Sequence, residues 1–136
     1  MTRPMLEMFA SDPDQEKNGI WLDYGNGTRI KMARAGGANE KFKRTMTAKM
    51  KPHKRLLDSE QMPDDLAEKI MHEVYAQTVV LDWEGVAELD GTAIPYTHAN
   101  VISVFERFPA FFQDIIEQAG KLSMFQVIAE ELAEKN

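Results

Sequence analysis

Ile20-Trp21-Leu22-Asp23-Tyr24-Gly25-Asn26-Gly27-Thr28-Arg29-Ile30-Lys31-Met32 is the stretch whose reading settles the fold. Two arms of alternating character flank Gly-Asn-Gly, residues that take positive φ at little cost, and this pattern predicts an antiparallel β-hairpin over about residues 19–33. The alternation assigns Trp21, Asp23, Ile30 and Met32, or the opposite set, to one face. An isolated hairpin is marginal in water, so a helix is expected to cover it.

Downstream of the hairpin the period changes from two to about 3.6. Ala35-Gly36-Gly37-Ala38 punctuates the chain, and Asn39-Glu40 opens a helix with Phe42, Met46, Met50 and Leu57 on a narrow stripe. Pro52 is expected to kink or divide it. Asp58 to Gln61 reads as a linker, and Pro63 opens a helix whose first-turn acids, Asp64 and Asp65, complement its dipole. Leu66, Ile70, Val74 and Leu81 form its stripe, with Tyr75 beside it. Val79 to Thr97 reads as a second, shorter turn or hairpin. Thr97 caps a helix bearing Ala99, Ile102, Phe105 and Phe108, and Pro109 starts the next, which carries Phe111, Phe112, Ile115, Ile116 and Ala119. That helix either continues through Gly120 toward Leu122, Phe125, Ile128 and Leu132 or breaks there.

The expected fold is α+β and mostly α: the hairpin packed on a body of four to five helices. Residues 1–18 are a flexible arm with a small apolar cluster at Met5, Leu6, Met8 and Phe9; residues 19–134 form one domain; 135–136 are a frayed tail. Trp21, Phe42, Trp83, Phe105 and Phe112 are the expected core anchors.

Composition narrows the function classes. Apolar residues at 43% and charged residues at 28% are enough for a packed core and exclude a disordered chain. The absence of cysteine removes disulfides and thiolate metal sites. No leader or membrane-spanning run is visible, so a cytoplasmic protein is expected. His53, His72 and His98 lack the spacing that places two imidazoles on one metal. Asp12 and Asp14 stand outside any calcium loop, and neither Gly25-Asn26-Gly27 nor Gly36-Gly37 has the spacing or lysine of a phosphate loop. Ser11, Ser59, Ser103 and Ser123 sit in no nucleophile elbow, and Asp64-Asp65 and Glu130-Glu131 read as helix-end or solvated acids. No catalytic, metal or cofactor residue is therefore assigned, and the expectation is a binding protein, not an enzyme.

The net charge of −6 conceals a division: +9 over residues 29–55, −3 before it and −12 after it. Such asymmetry speaks to partners, not fold. Arg34, Lys41, Lys43, Arg44, Lys49, Lys51, Lys54 and Arg55 are the candidate interaction residues. Three readings stand: a solvated helix face, a phosphate-contacting face in a small nucleic-acid-binding regulator using helix 41–55, or a basic face that meets an acidic protein face, including that of another protomer. Overall acidity and the lack of interleaved aromatics weigh against nucleic acid. Nine methionines serve either the core or an adaptable contact surface.

Four ordered strings, Gly19-Ile20-Trp21-Leu22-Asp23-Tyr24-Gly25, Ile30-Lys31-Met32-Ala33-Arg34-Ala35-Gly36-Gly37-Ala38-Asn39, Val80-Leu81-Asp82-Trp83-Glu84-Gly85-Val86 and Ile94-Pro95-Tyr96-Thr97, resemble the tail assembly chaperones of long-tailed bacteriophages and their prophage relatives, across about residues 17–134. The resemblance implies a mainly helical, oligomeric protein made in the bacterial host. It would bind the long tape-measure protein, keep it soluble, help recruit tail-tube subunits, and be absent from the finished virion. It brings no catalytic residue or cofactor. Many such chaperones also have a frameshifted longer form, and Glu134-Lys135-Asn136 is compatible with an A-rich slippery heptamer in the gene.

Overall fold

The computed structural model describes residues 4–121 and Phe125. Its elements run α1 (Pro13–Asn18), β1 (Ile20–Gly25), β2 (Thr28–Met32), α2 (Glu40–Met50), α3 (Lys54–Asp58), α4 (Asp64–Thr78), β3 (Val80–Glu84), α5 (His98–Arg107) and α6 (Pro109–Gly120). The fold is mostly α with the N-terminal hairpin, and five helices follow that hairpin.

Gly25, Asn26 and Gly27 all have positive φ, and the turn closes an antiparallel pair in which Trp21 faces Lys31, Leu22 faces Ile30 and Ile20 faces Met32. This register corrects the expected faces. Ile20, Leu22, Ile30 and Met32 share the inner surface, whereas Trp21 lies outside with Asp23, Arg29 and Lys31, because directly opposed residues point the same way. Trp21 is therefore not a core anchor. It is 37% exposed, and the Arg29 guanidinium lies 4.6 Å from its ring centroid.

A third strand completes the sheet. β3 pairs antiparallel with β2, setting Trp83 beside Ile30 and Val80 beside Met32, so the order is β1-β2-β3. Leu81, expected on the α4 stripe, belongs to this strand. The helix stops at Thr78, and Val79, with φ −113°, leads into extended backbone. Beyond β3 the chain makes a second small turn, with an antiparallel bridge between Ala87 and Ala93 and the Ile94 N–H donating to the Val86 carbonyl at 2.9 Å.

The inner sheet face packs against α4, α5 and α6 through Ile30, Met32, Tyr75, Val79, Val80, Trp83, Val101, Val104, Phe105, Phe112, Ile115 and Ala119. Phe105 and Phe112 meet at 4.7 Å between ring centroids, Tyr75 stands edge-on to Phe112 at 5.4 Å, and Phe42 adds an edge contact to Tyr75 at 5.6 Å from the partly buried margin. The buried face of α5 is Val101, Val104 and Phe105, displaced from the expected one: Ala99 is exposed, and Phe108 is 38% exposed at an extended residue before Pro109. Apolar residues cover more than one face of α5, and packing against α4 and α6 selects among them. The Thr97 hydroxyl caps α5 by accepting the Asn100 N–H at 3.0 Å.

Pro52 divides the first long helical stretch. α2 ends at Met50, a single 3-10 turn spans Lys51–His53, and α3 follows. α6 ends at Gly120, with Lys121 extended, so the last helix breaks at the glycine; Leu122, Ile128, Leu132 and the tail at 135–136 lie outside the described residues. Gly85 closes the sheet where its backbone passes the hairpin turn. It has φ +74°, and a Cβ there would run into the Gly27 carbonyl oxygen. Gly85→Ala is expected to cost about 2 kcal/mol or more, combining left-handed backbone strain with that collision; chemical denaturation checks it, and wild-type stability would refute the close approach.

Candidate functional site

The basic stretch does not form one face. Arg29 donates to Glu84 at 2.8 Å on the outer sheet surface. Lys49 pairs with Glu73 of α4 at 3.1 Å, and Arg44 lies 4.0 Å from Glu40 one turn away. Arg34, one of the candidate interaction residues, has its guanidinium on the carboxylate of Glu16, whose side chain is 4% exposed, so it also serves the fold. Lys43, Lys51, Lys54 and Arg55 are exposed and make no ion pair among the described residues, with Lys54 and Arg55 bordering a shallow hollow at α3.

Glu16 changes the reading of the N-terminal segment. Asp12 caps α1, its carboxylate accepting the Asp14 N–H at 2.9 Å, and the Glu16 carbonyl accepts the Arg34 N–H at 2.9 Å. Residues 12–18, expected in a flexible arm, are thus docked on the body, and Asp12 is a helix cap instead of a merely solvated carboxylate. Burial pushes the Glu16 carboxyl up, but hydrogen bonds from Arg34, the Ala38 N–H and the Ser11 hydroxyl, together with the Arg34 charge, outweigh it and hold the group below the ordinary carboxylate value. Asn39 does not cap α2 with its side chain. Its Nδ2, buried, donates to the carbonyls of Arg34 at 2.8 Å and Thr78 at 2.9 Å, tying the loop before α2 to the end of α4.

What the fold gathers is a cleft of about 1060 Å³ between α1, β2 and the start of α2. Lys17, Lys31, Lys41 and Arg44 enter it from three elements; Asp14 and Glu40 are its acids, and Leu81, Ala38 and Pro13 give apolar wall. Lys17 and Lys31 were not among the candidates. Each is a lone cation in its own segment, and only the folded chain places it near α2. Lys17, Lys31 and Lys41 make no ion pair among the described residues.

The second exposed feature is apolar. Met5, Leu6, Met8 and Phe9, on a 3-10 turn, are 67%, 72%, 69% and 61% exposed. His72, by contrast, is buried against Phe105 and Phe112 with its Nε2 lacking a hydrogen bond; Glu68 Oε1 is 3.6 Å away. No cluster of three or more His, Asp or Glu suited to a metal ion occurs among the described residues, and none of their helices is long and apolar enough to cross a membrane.

Residues 37–136, which is 100 of the 136, match the family described as YdaY prophage protein. The chain belongs to the YdaY prophage protein family. No curated protein and no solved structure matches it. The YdaY match begins at Gly37, after the hairpin, so the cleft straddles its edge: Lys41 and Arg44 come from the matched part, Lys17 and Lys31 from the segment before it.

Proposed function

We propose that this prophage protein is a non-enzymatic tail assembly chaperone. In this reading it works as an oligomer in the cytoplasm of the bacterial host, binding the long helical tape-measure protein, keeping it soluble, promoting assembly of the tail tube, and leaving before the virion is complete. The observation that carries the reading is the apolar turn at Met5, Leu6 and Phe9, each more than half exposed. Clustered exposed apolar side chains mark binding surfaces, flexible methionine adapts to varied partners, and an amphipathic helix is recognised through its apolar stripe. Family membership supports the phage setting. The exposed cations of α2 and α3 add charge complementarity between protomers or to the client.

Co-expression with the tape-measure protein of the same prophage tests this. The client is expected to become soluble and to co-purify, and Leu6→Asp with Phe9→Asp to lower its recovery at least tenfold, the effect of losing two buried apolar anchors. Reversal of Lys43, Arg44 and Lys51 to Glu is expected to weaken self-association or client retention while the helical circular-dichroism signal stays. A tape-measure protein equally insoluble with and without the chain would refute the reading.

The alternative, a nucleic-acid-binding regulator using residues 41–55, is disfavoured by the same geometry. Lys49 and Arg44 face acids, Glu40 stands among the cations, and among the described residues no aromatic ring lines the cleft for bases to stack on. Tight DNA or RNA binding with a steep salt dependence would favour it instead.

A further inference from the structure

Among the described residues, three unpaired lysines converge on one concavity. Lys17 stands in the last turn of α1, Lys31 in β2 and Lys41 in the first turn of α2, and all three line the cleft without an ion pair among those residues. Arg44 joins them, with the Glu40 carboxylate 4.0 Å away. A concavity lined mainly by one sign of charge focuses the field and concentrates counter-ions within it. Its walls are fixed before any ligand arrives: α1 by the Arg34 pair with Glu16, and the start of α2 by the carbonyls of Arg34 and Thr78 that accept from Asn39 Nδ2. A preformed site binds without an ordering cost of its own.

We propose that the cleft binds an acidic peptide segment of a partner protein, its carboxylates meeting Lys17, Lys31 and Lys41 and an apolar side chain between them resting on Leu81. Size and lining separate this occupant from other anions. At about 1060 Å³ the cleft stands at the upper end of ligand-sized cavities, far larger than a single phosphate needs. Asp14 and Glu40 stand among the cations, which disfavours a polyphosphate, charged at every unit, more than a peptide whose acids are spaced apart. Leu81, Ala38 and Pro13 offer apolar wall suited to aliphatic side chains, and among the described residues no ring is there for a base to stack on. None of residues 5–9 lines the cleft, so peptide binding here and client capture at the apolar turn stand or fall separately.

Titration of the isotope-enriched full-length protein with the hexapeptide Glu-Leu-Glu-Glu-Leu-Glu, blocked at both ends, tests this. The amide signals of Lys17, Lys31, Lys41 and Leu81 are expected to shift and to saturate at sub-millimolar peptide, whereas the same peptide with glutamine for glutamate leaves them unmoved. Lys17→Glu with Lys41→Glu is expected to weaken binding about tenfold, the size of two partly exposed ion pairs turned to repulsion, and high salt to weaken it as well. Lys69→Glu, at an exposed lysine about two and a half turns back along α4 from Thr78, is expected to change it less than about twofold. All three lysines are exposed, and the amide spectrum itself reports whether each variant keeps the fold. Cleft amides unmoved at millimolar peptide would overturn the proposal. So would equal weakening by Lys69→Glu, which would reduce the effect to net charge. Inorganic phosphate or a short single-stranded oligonucleotide that moved the same amides at lower concentration than the peptide would overturn it in favour of a phosphate site. Cleft amides that shifted with protein concentration alone would overturn it in favour of a second copy.

Discussion

Phe105→Ala is expected to destabilise the protein by about 3–5 kcal/mol, lowering the melting temperature by roughly 10–20 °C. Phe105 is fully buried, and its ring touches His72, Phe111 and Phe112. These neighbours come from α4 and α6, so truncation opens a void where three helices meet, and rigid rings collapse poorly into it. Trp21→Ala provides the contrast. Trp21 is the larger side chain but lies on the outer sheet face, so its loss removes mainly the contact with Arg29, worth about 0.5–1 kcal/mol. Urea denaturation of both variants checks the pair. Equal losses would mean that the hairpin register, and with it the inner face, is misassigned.

That contrast marks what the residues reveal locally and what they do not. The hairpin was legible because Gly25-Asn26-Gly27 can do little else between two apolar arms, and helix limits at Pro52, Thr97 and Pro109 followed from dihedral and capping rules. The side on which Trp21 lies depends on register, which the two-residue turn at Asn26-Gly27 and the bulge between Asp23 and Gly25 set; alternation along one strand leaves it open. β3 was hidden because Val79, Val80 and Leu81 continue the apolar run of α4, and its partner β2 lies some fifty residues earlier. The cleft was half legible. Lys41 and Arg44 stood out within a charge run, but Lys17 and Lys31 acquire meaning only when α1 docks, and α1 docks through a contact between residues eighteen positions apart.

That contact carries the second large expectation. Arg34→Ala is expected to cost about 3–5 kcal/mol, because it leaves the Glu16 carboxylate buried without its counter-charge. Arg34→Met combined with Glu16→Leu is expected to cost clearly less than Arg34→Ala alone, since an apolar pair in the same space removes the stranded charge. The pH dependence has a defined sign. The folded Glu16 carboxyl titrates below its ordinary value of 4.5, so its stabilisation is fully present above that value and is lost as pH falls through the lower, folded one. Arg34→Ala should flatten the acid limb of the stability curve as well as lower its plateau. Because α1 forms one wall of the cleft and its cap residue Asp12 grips Phe125, the same substitution is expected to expose residues 10–18 to limited proteolysis ahead of global unfolding. An Arg34→Ala protein with wild-type stability and an unchanged acid limb would show that α1 is held by something other than this pair. Stability lost without early cleavage of residues 10–18 would show that α1 unfolds only with the core.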